Sequence, residues 1–302
     1  MEKVIALLRK VPFLVRINHA YYALKRSMEL NASNFVYRRE ISEIKKLGQF
    51  APNTSGYYQG LEKTIHDLTL QSVTQVFPTL ALISDRFRHK PLEVITTEQF
   101  CRSFDAIDEA NKLKKVFDSY GCDKAQNHDY HYVYGAVLKN LVKTDSMLEI
   151  GLGTTNTDVV SNMGKIWVPG NSLRAFREYL PEAAIYGADV DKRILFQEER
   201  IKTYFVDQTD ESTIKALNKE IPGKLDLLID DGLHAPNANM AVLANAFDKI
   251  RAGGWLVIED ISPEALPIWS VTCALLSPQY TSYLIEAKGG MVFALKYPKL
   301  VG

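Results

Sequence analysis

The second half of the chain alternates short apolar runs with amphipathic segments of helix length. Apolar residues recur at helical spacing between the runs, and polar N-caps such as Asp210 precede them. Short apolar runs separated by helices are typical of buried parallel strands. The pattern therefore predicts a parallel sheet flanked by helices. The predicted strands are residues 146–150, 184–188, 203–206, 225–229 and 255–258, and the helices predicted between them include residues 194–200 and 237–250.

Two further β-rich runs follow at residues 281–287 and 291–297, joined by Lys288-Gly289-Gly290. A tight-turn sequence between two such runs predicts an antiparallel hairpin at or near the edge of the sheet. Residues 1–123 carry helical spacing around a polar loop at 49–60. We therefore expect an N-terminal, mostly helical auxiliary region, 1–123, and an α/β domain, 124–302.

The amphipathic start of the chain has two interpretations. Its apolar face packs against the other domain or a second subunit, or it lies on a membrane surface with Lys3, Arg9, Lys10 and Arg16 toward the lipid head groups. In both interpretations the segment does not cross the membrane, since no apolar run in the sequence is long enough to span a bilayer. The sequence leaves open whether the chain forms homo-oligomers.

Charge and cysteine content narrow the partners and the compartment. The 36 basic and 36 acidic residues cancel, which argues against nucleic acid as the main partner. The three cysteines are far apart and show no metal-binding or disulfide spacing, which favours a reducing compartment. The N-terminus is a poor signal peptide. We therefore expect a cytoplasmic protein.

Carboxylates follow the last two predicted parallel strands. Asp230 and Asp231 end one strand, Glu259 and Asp260 end the next, and His234 follows closely. The carboxyl ends of neighbouring parallel strands meet at the ligand-binding edge of an open α/β sheet. Since like charges at short range repel, a hard divalent cation bound by oxygens would relieve the repulsion.

The three earlier strands end in groups suited to a nucleotide-type ligand. Gly151 and Gly153 follow the first strand, where glycines let a ligand approach the backbone. Asp189 ends the second strand, where a carboxylate typically accepts ribose hydroxyls. Asp207, followed by Gln208, ends the third and could accept from an adenine amino group. The alternative for each carboxylate is an N-cap of the helix that follows.

These motifs resemble class I S-adenosylmethionine-dependent methyltransferases. Within that class, residues 122–302 are most similar to the metal-dependent sugar O-methyltransferases that act on rhamnosyl and macrolide sugars. Residues 154–170 form a longer insertion than the plain fold needs. The segments that carry the resemblance are D-K-A-Q-N-H-D-Y-H-Y-V-Y from Asp123, L-E-I-G-L-G-T from Leu148, S-L-R-A-F-R-E-Y-L-P from Ser172, I-Y-G-A-D-V-D from Ile185, F-V-D-Q-T-D from Phe205, I-D-D-G-L-H from Ile229 and V-I-E-D from Val257.

The resemblance implies a role for each candidate residue. His234 would be the general base. Asp230 would face the methionine portion of the cofactor or support the metal site. The segment 130–134, which begins with Tyr130, would close over the cofactor. The ligands of a divalent ion, Mg²⁺ or alternatively Mn²⁺, would be Asp231, Glu259 and Asp260. S-adenosylmethionine would be held by Glu149, Gly151, Gly153, Asp189, Asp207, Gln208 and Tyr130.

The expected function is transfer of a methyl group to a hydroxyl of a deoxysugar, such as rhamnose, in a glycan or glycoconjugate. A bound cation lowers the pKa of a coordinated oxygen, and His234 could then take the proton near neutral pH. Packing or a place in the cofactor lid is the favoured interpretation of His128 and His131. Two alternatives remain open: methylation of a catechol or another small molecule, and a non-catalytic methyltransferase-like scaffold. A nicotinamide-dependent reductase is disfavoured because the glycine fingerprint stops at G-x-G and the chain ends in a hairpin.

Overall fold

The computed structural model describes residues 47–52, 62–87, 92–164 and 167–299. The chain forms two compact units, Met1–Phe77 and Pro78–Gly302. The amphipathic segments predicted before residue 47 lie outside the described residues. Both interpretations of these segments therefore stay predictions. In the part of the chain that is described, no helix has both the length and the apolar composition needed to cross a membrane.

Helices and strands alternate through the second unit as the hydrophobic pattern predicts. A helix, α1 (Glu62–Phe87), runs across the boundary between the units, and a 3-10 turn at Gly48–Phe50 precedes it. The remaining helices are α2 (Thr97–Ser103), α3 (Ile107–Ser119), α4 (Asp123–Gln126), α5 (Tyr130–Asn140), α6 (Asn171–Tyr179), α7 (Glu211–Glu220), α8 (Pro236–Ala246) and α9 (Leu266–Leu276). The strands are β1 (Val94–Thr96), β2 (Ser146–Ile150), β3 (Ala184–Asp189), β4 (Gln197–Glu198), β5 (Ile201–Phe205), β6 (Leu225–Asp230), β7 (Ile250–Ile261), β8 (Thr281–Ala287) and β9 (Gly290–Lys296).

The strands form one sheet in the order β1-β8-β9-β7-β6-β2-β3-β5-β4. β2, β3, β5, β6 and β7 run parallel, while β9 is antiparallel to both β7 and β8. The expected Rossmann-like sheet with an antiparallel hairpin is therefore confirmed. The short strand β1 adds to β8 in parallel, so the hairpin lies one strand in from the edge.

Both faces of the sheet are covered by apolar side chains. Leu227 packs in one buried cluster with Phe117 and Phe176, and its neighbour Leu228 packs in a second cluster with Val242 and Trp269. Successive residues of a strand point to opposite faces, so the near-continuous apolar runs follow from burial on both sides. This burial leaves the carboxyl ends of the parallel strands as the accessible edge that can hold a site.

One predicted helix does not form, and another ends earlier than predicted. The segment predicted as a helix at 194–200 forms a 3-10 turn, Lys192–Ile194, and then the short strand β4. The reason is a tight turn at Arg200, which adopts a φ of 59° and folds β4 back onto β5. The helix predicted to run to Ile250 ends at Ala246, and Gly254 lies inside β7 with the carbonyl of Asp226 close against it.

Residues 94–123 are structurally part of the unit that contains the sheet. β1 pairs with β8, and Phe100 of α2 makes edge contacts with Trp255 of β7 and Tyr283 of β8. The compact units divide at Phe77 and Pro78, well before residue 123. The helical character expected for this stretch holds for α2 and α3. The separation of an auxiliary region, 1–123, from a methyltransferase domain, 124–302, stays a prediction.

Candidate active site

The glycine turn after β2 brings two strand ends into contact. The N–H of Gly151 donates to the carbonyl of Ala188 at 2.8 Å, and the N–H of Asp231 donates to the carbonyl of Ile150 at 2.8 Å. Gly151 has a φ of +96°, and a Cβ added there would lie 1.8 Å from the carbonyl oxygen of Asp231. Only glycine fits this position, because both the backbone angle and the space exclude a side chain.

Four of the predicted cofactor residues line one cavity beyond β2, β3 and β5. The cavity has a volume of about 340 Å³ and is closed on one side by the insertion, through Asp158, Val159, Val160 and Ser161. This volume lies within the usual range for small-molecule sites. We call it the cofactor cavity. The predicted residues in its lining are Gly151, Asp189, Asp207 and Gln208.

Asp189 is held by the backbone at the end of β3. Its carboxylate oxygens accept from the N–H groups of Leu152, at 2.7 Å, and Asp191, at 2.8 Å. Burial raises the pKa of Asp189, while these two hydrogen bonds act to lower it. The carboxylate thereby ties the glycine turn to the next strand, in addition to facing both cavities of the site.

Asp191 is a buried residue for which the sequence pattern predicts no role. It accepts from Thr154 Oγ1 at 2.6 Å, Asn156 Nδ2 at 2.7 Å and Arg193 Nε at 2.6 Å. The guanidinium of Arg193 and the two insertion side chains hold the pKa of Asp191 well below its usual range. Arg193 also pairs with Asp158. The insertion is therefore fastened to the end of β3, which only the tertiary structure reveals.

Asp207 and Gln208 make hydrogen bonds to other residues of the protein. Asp207 Oδ1 accepts from the backbone N–H of Thr209, at 2.9 Å, and from its hydroxyl, at 2.7 Å. Asp207 therefore stabilises the local turn, whereas the N-cap of the following helix α7 is Asp210. Gln208 Nε2 donates to Asp230 at 2.6 Å, and its Oε1 accepts from the N–H of Leu233 at 2.8 Å.

Asp230 differs from both of its predicted roles. It is fully buried and accepts from Gln208 Nε2 and, at 2.9 Å, from Asn239 Nδ2. Its side chain does not belong to the lining of either cavity. The reason is the strand period: Asp230 still points into the sheet packing, whereas Asp231 is the first residue past the strand.

Asp231, directly after β6, and Glu259 and Asp260, near the end of β7, face a second cavity of about 190 Å³. We call it the acidic cavity. It shares Gly151, Ser161, Asp189 and Gly232 with the cofactor cavity, so the two are adjacent. The predicted residues in its lining are Gly151, Gly153, Asp189, Asp231, His234, Glu259 and Asp260.

Asp231, His234 and Asp260 form a group that fits a metal ion. His234 Nε2 lies 3.9 Å from Asp231 Oδ1 and 3.9 Å from Asp260 Oδ2, and each side chain is partly exposed to the cavity. His234 and Asp260 have φ angles of 58° and 52°, a strained conformation for residues other than glycine. The carboxylate oxygens of Asp231 and Asp260 suit Mg²⁺ or Mn²⁺. These three residues are called the outer group below.

Glu149 and Glu259 lie deeper than predicted. Both are fully buried, and a lysine that the sequence analysis passed over, Lys124 of α4, lies between them. Its Nζ is 3.0 Å from Glu149 Oε1, 2.7 Å from Asp231 Oδ2 and 2.6 Å from Glu259 Oε2. Ser172 also donates to Glu149, at 2.6 Å. Glu149 and Glu259 therefore belong to an ion-pair network, and their predicted contacts with the cofactor and the metal stay predictions.

The charge balance of this network still favours an added cation. Burial acts to lower the pKa of Lys124, but attraction by Asp231, Glu259 and Glu149 outweighs it and raises the pKa well above the usual value. Burial raises the pKa of Glu149 and of Glu259. One ammonium cannot neutralise three carboxylates, so a proton or a metal ion stabilises the cluster further.

Tyr130 also differs from its expected place in a cofactor lid. It begins helix α5, is buried, and donates its hydroxyl to Asp260, while Tyr134 donates to Glu259. His128 stacks on Tyr130 with ring centroids 5.0 Å apart, and its Nδ1 lies 3.6 Å from Asp260 Oδ1 in the acidic cavity. The segment 130–134 therefore holds Glu259 and Asp260 in place through the hydroxyls of Tyr134 and Tyr130.

Comparisons with known proteins agree with the resemblance seen in the motifs. No protein-family model matches the chain. An 8-demethyl-8-alpha-L-rhamnosyl tetracenomycin-C 2'-O-methyltransferase of Streptomyces olivaceus is 28% identical over 151 residues, which are 49% of this chain and 37% of the relative. A mycinamicin VI 2''-O-methyltransferase of Micromonospora griseorubida is 35% identical over 92 residues, 30% of this chain and 23% of the relative.

The chain therefore matches only about a quarter to a third of the length of these relatives. Among solved structures, the MycE methyltransferase from the mycinamycin biosynthetic pathway, in complex with Mg and SAH, is 24% identical with a TM-score of 0.49. That similarity covers 63% of this chain and 56% of MycE. The sequence relatives confirm the predicted resemblance: the chain is a relative of sugar O-methyltransferases, and its sheet has the expected class I methyltransferase architecture.

Proposed function

We propose that the chain is a metal-dependent O-methyltransferase that transfers a methyl group from S-adenosylmethionine to a hydroxyl of a deoxysugar, rhamnose-like, in a glycan or glycoconjugate. The adjacency of the cofactor cavity and the acidic cavity carries the proposal. A methyl donor in the first cavity would present its reactive group toward the acids and the imidazole of the second. The relatives, named as methyltransferases of rhamnosyl and macrolide compounds, support the sugar class.

The cofactor cavity supplies binding groups for the nucleoside end of the donor. Asp189 would accept ribose hydroxyls through lone pairs that its two backbone partners leave free. Gly151 lets the ligand approach the backbone, and Asp207 lies farther along the same cavity for an adenine amino group. The insertion would exclude water above this ligand, since Asp158, Val159 and Val160 already line the cavity.

The outer group would hold the divalent ion. Asp231 and Asp260 offer oxygens, and Glu259 joins them only if its contact with Lys124 loosens. When bound, the ion lowers the pKa of a hydroxyl oxygen that coordinates it. His234 Nε2 would accept the proton of that hydroxyl, and a methyl donor in the cofactor cavity would supply the methyl group to the oxygen, with its sulfur leaving as a neutral thioether. Asp231 Oδ1 and Asp260 Oδ2 each lie 3.9 Å from His234 Nε2, so the proposed base is adjacent to the proposed metal ligands.

Two rivals predict different outcomes. A catechol would chelate the same ion through neighbouring hydroxyls, so acceptor tests must include catechols. A non-catalytic scaffold would need neither the cofactor nor the metal. A cytoplasmic location, the lack of a nucleic-acid partner and any homo-oligomeric assembly are parts of the proposal that need their own measurements.

The direct test is methylation by the purified chain, followed by mass spectrometry of the acceptor. Rhamnosides should gain a methyl group with Mg²⁺ or Mn²⁺ and none in excess EDTA. Asp260→Asn should lose turnover yet bind S-adenosylhomocysteine as the parent does, because the ion contacts the acceptor. Asp145→Asn is a matched control, since Asp145 is an exposed aspartate paired with Lys143. Undiminished turnover in chelator would contradict the metal requirement, and methylation of catechols alone would contradict the sugar assignment.

A further inference from the structure

Lys124 places a permanent positive charge inside the acidic cavity. A lysine ammonium has three N–H donors, and here three carboxylates surround it: Glu149, Asp231 and Glu259, at 2.6 to 3.0 Å. Its side chain is 2% exposed. The ammonium donates hydrogen bonds to Asp231 and Glu259 and forms a third ion pair with Glu149, so its charge is directed at these three carboxylates.

The lysine divides the acidic residues into two sets. Glu149 and Glu259 are fully buried and face Lys124, while the outer group faces the cavity. Asp231 belongs to both sets: its Oδ2 lies 2.7 Å from Lys124 Nζ, and its Oδ1 lies 3.9 Å from His234 Nε2. The contact with Lys124 therefore holds one oxygen of Asp231 and leaves the other directed toward His234.

We propose that Lys124 is a positioning residue that acts as a built-in cation, occupying a point that would otherwise take a second divalent ion and orienting Asp231 toward His234. Three carboxylate oxygens converging on one buried point are the donor set of a hard cation. Lys124 fills that point from α4 and limits the protein to one exchangeable ion. The proposal rests on the proposed function only for the ion in the outer group.

The test counts the ions bound with and without the ammonium. Titration calorimetry and the spin-resonance signal of free Mn²⁺ would be measured on the parent chain, on Lys124→Ala, and on Lys124→Ala combined with Glu259→Gln. The parent should bind one Mn²⁺ per chain. Lys124→Ala should bind two, because truncation opens the position of the ammonium to an ion. The double variant should lose the second ion, with at least tenfold weaker binding.

The outcomes separate this inference from the proposed function. A parent that binds no Mn²⁺ contradicts the metal site in the outer group, but one Glu259-dependent ion in Lys124→Ala still supports the inner cation. Two ions in the parent, or no additional ion in Lys124→Ala, overturn the inference. None of these readouts depends on turnover.

A second measurement decides the matter if Lys124→Ala does not fold. Lys124→Met keeps the length of the side chain but removes its charge, and so leaves Glu259 buried without its counter-ion. Replacing both partners with neutral groups is far less harmful than removing one. The thermal midpoint of Lys124→Met should therefore rise by several degrees when Glu259→Gln is added, whereas Glu259→Gln alone should lower that of the parent. No rescue by Glu259→Gln overturns the inference.

Discussion

Replacing Gly151 with alanine tests the closest contact in the site. The new Cβ would lie 1.8 Å from the carbonyl oxygen and 2.4 Å from the carbonyl carbon of Asp231. These are backbone atoms that cannot rotate away. Asp231 is also held by its own N–H bond to Ile150, so relief requires the ends of β2 and β6 to separate. The substitution should therefore disturb both cavities together.

The expected cost has two parts. A side chain at positive φ costs about 1–2 kcal/mol, and Gly151 has a φ of +96°. Overpacking adds about 1–3 kcal/mol. For a domain of about 150–250 residues, each kcal/mol lowers the melting temperature by roughly 2–4 °C. Gly223→Ala is the control, because Gly223 has a φ of +65° but no atom within 4 Å of an added Cβ.

The assay is thermal unfolding of the parent and both variants, followed by calorimetry with S-adenosylhomocysteine and with Mn²⁺. Gly151→Ala should unfold below Gly223→Ala by roughly 2–12 °C, which is the overpacking share of the cost. It should also weaken both ligands, while Gly223→Ala binds them as the parent does. Equal melting temperatures and equal affinities for the two variants would refute the close approach of Gly151 to Asp231.

Three further predictions follow from the buried acids and the imidazole. Asp230→Asn would set an amide against the amide donors of Gln208 and Asn239, so it should destabilise the fold by about 1–3 kcal/mol in denaturant melts yet leave Mn²⁺ affinity unchanged; a loss of Mn²⁺ binding would return Asp230 to the metal site. His234→Ala should slow the chemical step by roughly 10²- to 10⁴-fold in single-turnover assays; weakened Mn²⁺ binding would instead make His234 a ligand. The raised pKa of Glu149 and Glu259 adds stability that is present at low pH and lost as pH rises through the folded-state value, so the metal-free chain should melt higher at about pH 5.5 than at 7.5, and Glu259→Gln should reduce that difference. Burial lowers the pKa of His131, which makes stability rise with pH in the parent and in Glu259→Gln alike, so the difference between the two proteins isolates Glu259. An identical pH response of the parent and Glu259→Gln would contradict the raised pKa of Glu259.

The sheet was predictable because each long strand is a continuous apolar run in the sequence. Leu225–Asp230 is buried at every position, and its apolar run is visible without knowledge of its neighbours. The ends of elements depend more on tertiary contacts. The strand β4 exists because Arg200 turns the chain back onto β5, and β1 exists because β8 offers it an edge. Neither short strand has a pattern long enough to show in the sequence.

The site was predictable in its residue types and less so in their partners. Asp189, Asp231, His234 and Asp260 reach the cavities because strand ends meet at one edge of a parallel sheet. Lys124 contacts Asp231 across 107 residues and Glu259 across 135. No spacing rule connects positions so far apart, although Lys124 stands in a motif that carried the resemblance. Asp230 was misplaced because a pair of acids at a strand end does not show which one is still inside.

The ion-pair network around Lys124 determines where the uncompensated negative charge of the site lies. Buried carboxylates without a counter-ion are strongly destabilising, and the cluster contains Glu149 and Glu259 with no exposure to water. Lys124 offsets part of that cost permanently, and Tyr134 and Ser172 donate hydrogen bonds to the remaining oxygens. The uncompensated charge is thereby moved outward to Asp231 and Asp260, which the cavity exposes. In the proposed function, an exchangeable ion would therefore bind at these exposed carboxylates, because Lys124 already offsets part of the inner charge and cannot leave.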